Sequence, residues 1–89
     1  MIYVAMLTIV DPELNAQARP AHLDYLNRLF KEGKVVMAGP YTDKQGGMVL
    51  YKTETEAEAR QLAEADPVVV NGSRTLVLRE WNPLAFPLD

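Results

Sequence analysis

Two residues with acid–base chemistry, His22 and Asp66, stand where a fold could bring them together. His22 is the only histidine, and it falls on the apolar side of a predicted helix, one turn before Leu26. Asp66 ends the apolar stripe of a second predicted helix, directly before Pro67. If the two helices pack side by side, the carboxylate would fix the imidazole tautomer and make the ring a competent general base near neutral pH. The simpler alternative is that His22 is a packed side chain and Asp66 caps backbone N–H groups downstream.

Four further residues are candidates for substrate binding. Arg19 precedes the predicted first helix and could meet an anionic substrate, although such a residue is more often solvated or paired with a carboxylate. Gly39 and Pro40 end a predicted strand, where the backbone could approach a ligand closely. Tyr41 could form a pocket wall or act as an acid, and packing at a strand edge is the alternative.

The composition argues against several classes of function. The 89 residues include 12 acidic and 9 basic side chains, for a formal net charge of −3, and the basic residues are scattered, which argues against nucleic acid as a partner. No apolar run approaches the roughly 18 residues of a membrane span, and Ile2–Val10 lacks the flanks of a signal peptide, so we expect a cytoplasmic protein. With one histidine, no cysteine and no glycine-rich phosphate loop, we expect neither a metal nor a cofactor.

Hydrophobic patterning and turn residues predict the secondary structure. Ile2–Val10 is apolar on both strand faces, and Asp11-Pro12 ends it. Pro20 suits the first turn of a helix that runs to about Glu32. The remaining predicted elements are a strand at Val35–Gly39, a turn at Asp43–Gly47, a strand at Met48–Tyr51, a helix opened by the capping box Thr55–Glu58, a short β-branched segment at Val68–Val70 and a strand at Arg74–Trp81.

This order, β-α-β-β-α-β, predicts a ferredoxin-like α+β fold with an antiparallel sheet, as one domain over residues 1–89. In that fold both helices cover one face of the sheet. The opposite face should also be apolar here, because the first strand is apolar on both sides, and so we expect a homodimer formed through this face. The alternative is a monomer whose tail, residues 83–89, folds across the sheet with its apolar side chains.

Four sequence features together resemble the YCII-related (YciI-like) family. They are Arg19-x-x-His22-x-x-Tyr25-Leu26, the segment Gly33–Pro40, the step Asp66-Pro67, and Trp81 at the end of the last strand. The resemblance implies a dimeric α+β barrel and a His–Asp pair that lines a pocket, carried here by His22 and Asp66. It also implies kinship with muconolactone isomerase-like proteins and with dehydrochlorinases of chlorinated hydroxyquinones. The sequence departs from the family at Val68, where an aromatic residue is usual.

The sequence thus supports two main hypotheses about function. The first is an enzyme that uses His22 and Asp66 for cofactor-independent acid–base chemistry, such as isomerisation or elimination, on a lactone, an organic acid or a chlorinated phenolic ring. The second is a non-catalytic dimer that binds a small anion or a hydrophobic metabolite, or serves as an accessory protein. A His22 that lies in a concave pocket within hydrogen-bond reach of Asp66 would favour the first, and a His22 packed without a cavity would favour a structural role.

Overall fold

The computed structural model describes all 89 residues and contains one sheet and three helices. The four strands are antiparallel and lie in the order β2-β3-β1-β4. In chain order the elements are β1 (Ile2–Ile9), α1 (Pro12–Lys31), β2 (Val35–Pro40), β3 (Gly46–Lys52), α2 (Glu56–Glu64), α3 (Pro67–Val70) and β4 (Arg74–Trp81). The predicted ferredoxin-like α+β fold is confirmed, with α3 as an additional short helix. None of the helices combines the length and the hydropathy needed to cross a membrane.

The first helix begins eight residues before the predicted start at Pro20. Asp11 is the N-cap, its side chain accepts a hydrogen bond from the Leu14 amide at 3.1 Å, and Pro12 occupies the first turn. Pro20 therefore lies inside α1, where it cannot donate the usual backbone hydrogen bond. Tertiary hydrogen bonds hold the first half of the helix in place, because Asn15 accepts from Arg74 and the carbonyl of Leu14 accepts from Asn71.

The β-branched segment Val68–Val70 forms the helical turn α3 rather than extended chain. Asp66 is its N-cap, and Pro67 stands in its first turn, which favours helical backbone over the strand preference of valine. The strand β3 also starts earlier than predicted, at Gly46, because its first two residues pair with β1. A Cβ atom at Gly46 would overlap the carbonyl oxygen of Leu7, so only glycine permits this close pairing.

The helices cover one face of the sheet, and the core lies between the helices and that face. Alternate residues of β1, namely Tyr3, Ala5 and Leu7, point into this core and are no more than 1% exposed. Their strand partners on β3 place Val49 and Tyr51 in the same layer. The other side, which we call the open face, presents apolar side chains to solvent within this chain: Val4, Met6, Met37, Val77 and Trp81.

Candidate active site

The structure joins His22 and Asp66 directly. His22 lies on the inner side of α1 and is 6% exposed, and Asp66 lies between α2 and α3 and is fully buried. The imidazole Nδ1 stands 2.7 Å from Oδ1 and 2.9 Å from Oδ2 of the carboxylate. Because α1 packs against α3, two side chains 44 positions apart in sequence form a buried ion-pair geometry.

Asp66 also has the structural role that its position before Pro67 suggested. Its Oδ1 accepts a hydrogen bond from the Val68 amide at 3.2 Å, which caps α3. Pro67 follows as the first residue of that turn. The capped turn therefore holds the carboxylate in the position in which it contacts His22. The capping role and the pairing role therefore coexist in one side chain.

The pair determines which imidazole nitrogen is free. An ionised carboxylate only accepts hydrogen bonds, so Nδ1 of His22 must donate, and Nε2 of the neutral ring carries the lone pair. Nε2 makes no hydrogen bond within the chain, and the only fully buried side-chain polar atom without a partner is the Tyr51 hydroxyl. Nε2 therefore has solvent-accessible surface, and His22 is one of the residues that line a cavity.

A cavity of about 170 Å³ lies between α1 and the β2–β3 part of the sheet. Three of its residues, Arg19, His22 and Arg74, are charged or titratable. The rest of the lining is apolar or backbone: Leu7, Leu23, Leu26, Ala38, Gly39, Pro40, Met48 and Val49. An apolar wall with a few convergent polar groups is the usual composition of a small-molecule site.

The other sequence-based candidates lie at or near this cavity. Arg19, Gly39 and Pro40 line it together with His22. Tyr41 does not line this cavity and instead lines a neighbouring hollow together with Met37. The substrate-binding role of these residues remains a prediction.

Sequence analysis missed Arg74, which lines the cavity from the first position of β4. Its Nε donates a 2.7 Å hydrogen bond to Oδ1 of Asn15 on α1. Burial lowers the pKa of Arg74, the nearby charge of Arg19 lowers it further, and the carboxylate of Asp66 opposes both effects. The strand register contained a signal, because Arg74 alternates with Leu76 and Leu78 on the helix-covered face.

Two tyrosines lie close enough to the buried carboxylate of Asp66 for its charge to affect their pKa values. The Tyr25 hydroxyl donates a 2.7 Å hydrogen bond to the carbonyl of Leu62, whereas the Tyr51 hydroxyl has no partner. Burial raises the pKa of both phenols, and the negative charge of Asp66 raises each further. Both therefore stay neutral in the folded chain at physiological pH. No three His, Asp or Glu side chains come together in a geometry that would hold a metal ion.

Comparison with known proteins identifies the family. The YCII-related domain matches residues 1–82, which is most of the chain. The chain belongs to the YCII-related family. The family resemblance carried by the segments around His22, Gly39, Asp66 and Trp81 is thereby confirmed.

Two known proteins are similar to this chain, one in sequence and one in fold. The uncharacterized protein YjpA of Bacillus subtilis (strain 168) is 34% identical over 76 residues, which cover 85% of this chain and 89% of YjpA. A solved structure of similar fold is 5-chloro-2-hydroxyhydroquinone dehydrochlorinase (TftG) from Burkholderia phenoliruptrix AC1100, in complex with 2,5-dihydroxybenzoquinone. It superimposes with a TM-score of 0.77 at 21% identity and covers 92% of this chain and 94% of its own. At that identity the likeness concerns the fold.

Proposed function

We propose that this YCII-related protein is a cofactor-independent enzyme that uses His22 and Asp66 for acid–base chemistry on a small organic molecule. One observation carries the proposal: Nδ1 of His22 is held by the buried carboxylate of Asp66, and the same side chain lines a cavity. A general base needs an oriented ring, a lone pair that can reach the substrate and a carboxylate that stabilises the imidazolium. A merely packed histidine would not need to line a cavity.

The proposed step is a proton transfer to Nε2 of His22 from a C–H or O–H bond of the substrate. Asp66 stabilises the imidazolium that forms and keeps its orientation. In an isomerisation, the ring returns the proton to another atom of the same substrate. In an elimination, the electron pair of the broken bond moves into the substrate, a leaving group such as chloride departs with its own bonding pair, and the imidazolium then releases its proton to water. No oxidant or reductant is needed. TftG, which shares the fold, is named for a dehydrochlorination.

The proposed active form is a homodimer that pairs the open faces of two sheets. Met37, Val77 and Trp81 are between 49% and 64% exposed in the single chain. Together with Val4 and Met6 they make this face largely apolar, with Arg79 as a charged residue between Val77 and Trp81. Contiguous apolar patches of this kind mark interaction surfaces on proteins that otherwise stay in solution.

The test is a proton-transfer assay on the intact protein in D₂O. The substrates are 5-chloro-2-hydroxyhydroquinone and a panel of small lactones and hydroxy acids, with C–H to C–D exchange followed by proton NMR and chloride release followed by ion chromatography. His22→Gln is expected to lower the rate by about 10²- to 10⁴-fold. Asp66→Asn is expected to cost less, because the base remains but its orientation is lost.

The control is Asp24→Asn, which removes a carboxylate from the exposed side of the same helix and should leave the rate unchanged. Equal rates for the wild type and His22→Gln would contradict the acid–base role. Saturable binding of 2,5-dihydroxybenzoquinone without turnover of any substrate would instead favour the second hypothesis, a non-catalytic ligand-binding dimer.

A further inference from the structure

Two arginines line the cavity without a carboxylate partner. The ion pairs of this chain are His22–Asp66, Lys34–Glu58 and Arg60–Glu56, and neither Arg19 nor Arg74 belongs to one. Arg19 is exposed at the cavity mouth and Arg74 is half-buried. A charge that is withdrawn from water without a counterion is unfavourable, so the half-buried guanidinium of Arg74, with Arg19 near it, provides a place for a ligand's negative charge.

Arg74 is held in a defined orientation. A guanidinium has five N–H donors, and Arg74 uses the one at Nε for Asn15. Asn15 lies on α1, two turns before His22 on the same helix, so one element positions both the arginine and the base. The two terminal nitrogens of Arg74 make no hydrogen bond within the chain, although Asp66 is near enough to affect its pKa. These four N–H groups form the fork that matches a planar carboxylate.

The size of the cavity limits the rest of the ligand. Its volume is about 170 Å³. An apolar protein cavity of about 150 Å³ accommodates benzene. Most of the remaining lining is apolar, with Leu7, Leu26 and Val49 in it. A single ring or a short carbon chain fills a space of this size and contacts its apolar lining.

We propose that Arg74, with Arg19, binds a carboxylate group of the substrate, and that the substrate is therefore a small monocyclic or short-chain carboxylic acid. This inference rests on the proposed function, which makes the bound molecule a substrate, and adds the chemical class of that substrate. Arg74 binds the carboxylate directly, and Asn15 is a positioning residue that acts through Arg74. The carboxylate at the arginines would place the remainder of the molecule against the apolar wall, beside Nε2 of His22.

The test compares benzoate with its uncharged analogue benzamide and with inorganic phosphate, by NMR titration of the full-length ¹⁵N-labelled protein. Benzoate is expected to bind saturably at the cavity residues and more tightly than benzamide. Arg74→Met keeps an unbranched apolar stem. It is expected to weaken the affinity for benzoate by about 10- to 100-fold, because a hydrogen-bonded charge pair is lost, and to leave the affinity for benzamide unchanged. Arg60→Met, which removes one exposed arginine from α2, is the matched control and should change neither affinity.

A second variant covers the case in which Arg74→Met does not fold. Asn15→Ala keeps both arginines and should remove the slowly exchanging Nε–H resonance of Arg74. It should weaken the affinity for benzoate several-fold and leave the affinity for benzamide unchanged. A general loss of stability would instead lower both affinities.

Four results would overturn the inference. They are no saturable binding of benzoate, equal affinity for benzoate and benzamide, unchanged benzoate affinity in Arg74→Met, and arginine-dependent binding of phosphate alone. The outcome is independent of the acid–base proposal, because His22→Gln should still bind benzoate. Loss of proton transfer with intact benzoate binding, or the reverse, therefore identifies which of the two proposals has failed.

Discussion

The two faces of the sheet are both apolar in sequence, but the fold treats them differently. On the helix-covered face, Tyr3 is 1% and Val49 is 2% exposed. On the open face, Met37 is 64% and Val77 is 53% exposed in the single chain. The helices supply enough surface to bury one face only, and the cavity with His22 lies on that side.

The difference indicates two separate uses of hydrophobic surface in a chain of 89 residues. The covered face stabilises the chain itself and holds the buried His22–Asp66 pair in place. The open face remains available for association, which is how a small domain can bury more apolar area than its own length allows. Substitutions on the two faces should therefore affect different measurable quantities.

The largest effect is expected from breaking the buried pair on the covered face. Asp66→Ala should lower the free energy of unfolding by about 3–5 kcal/mol, because it leaves His22 buried without its partner and removes the cap of α3. Urea denaturation monitored by circular dichroism measures this change. Glu58→Gln, which weakens the exposed ion pair with Lys34, is the matched control and should shift the midpoint little. Similar losses of unfolding free energy in the two variants would mean that the buried pair contributes no more to stability than the exposed pair.

Two neighbouring positions on β4 test the faces directly. Leu76 packs against the core, and Val77 lies on the open face. Leu76→Lys should lower the free energy of unfolding by more than about 2 kcal/mol, because it buries an unpaired charge. Val77→Lys should leave the unfolding of the dissociated chain nearly unchanged. An equal loss at both positions, measured at high dilution, would mean that both faces are covered within one chain.

The association of the open faces is measured by sedimentation equilibrium. At micromolar concentration the wild type should show about twice the chain mass, as expected for an interface above roughly 1,000 Å². Val77→Lys should shift the equilibrium toward the monomer because it places a charge within the apolar surface. A wild type that remains monomeric at every concentration would contradict the proposed homodimer.

The smallest effect is expected at Tyr51, whose hydroxyl is buried without a hydrogen-bond partner. Tyr51→Phe should raise the free energy of unfolding by about 1 kcal/mol, because the cost of desolvating the hydroxyl disappears. Burial first, and then the charge of Asp66, raises the pKa of Tyr51 above its ordinary value of 10.0. The unfolded chain therefore ionises first as pH rises above about 10, and the wild type loses stability in that range.

The pH dependence provides a check that does not rely on the neutral-pH value alone. Below pH 10 the phenol is neutral in both states and contributes no slope. Above it, Tyr51→Phe should lose less stability per pH unit than the wild type, with a residual slope from Tyr25, whose pKa is also raised. Parallel stability curves for the two proteins between pH 9 and about 11 would show that Tyr51 ionises equally in both states.

Local sequence patterns predicted the strands and the second helix well, because each rests on a run of residues with one strong preference. The start of α1 was different. Asp11-Pro12 suits both the end of a strand and the cap of a helix, and Pro20 suits a first turn, so local signals alone favoured the later start. The bonds from Asn15 and Leu14 to the segment around β4 reverse this preference, and they join residues more than 50 positions apart.

The candidate site divides in the same way. The sequence by itself determined the chemistry available, since a single histidine and an aspartate before a proline at these positions match the family to which the chain belongs. Only the tertiary structure decided that Nδ1 of His22 meets Asp66, that Arg74 joins the cavity and that Tyr41 lies outside it. The physical reason is that residue types and local propensities act over a few positions, whereas the packing of α1 against α3 and the sheet register set which distant side chains share one cavity.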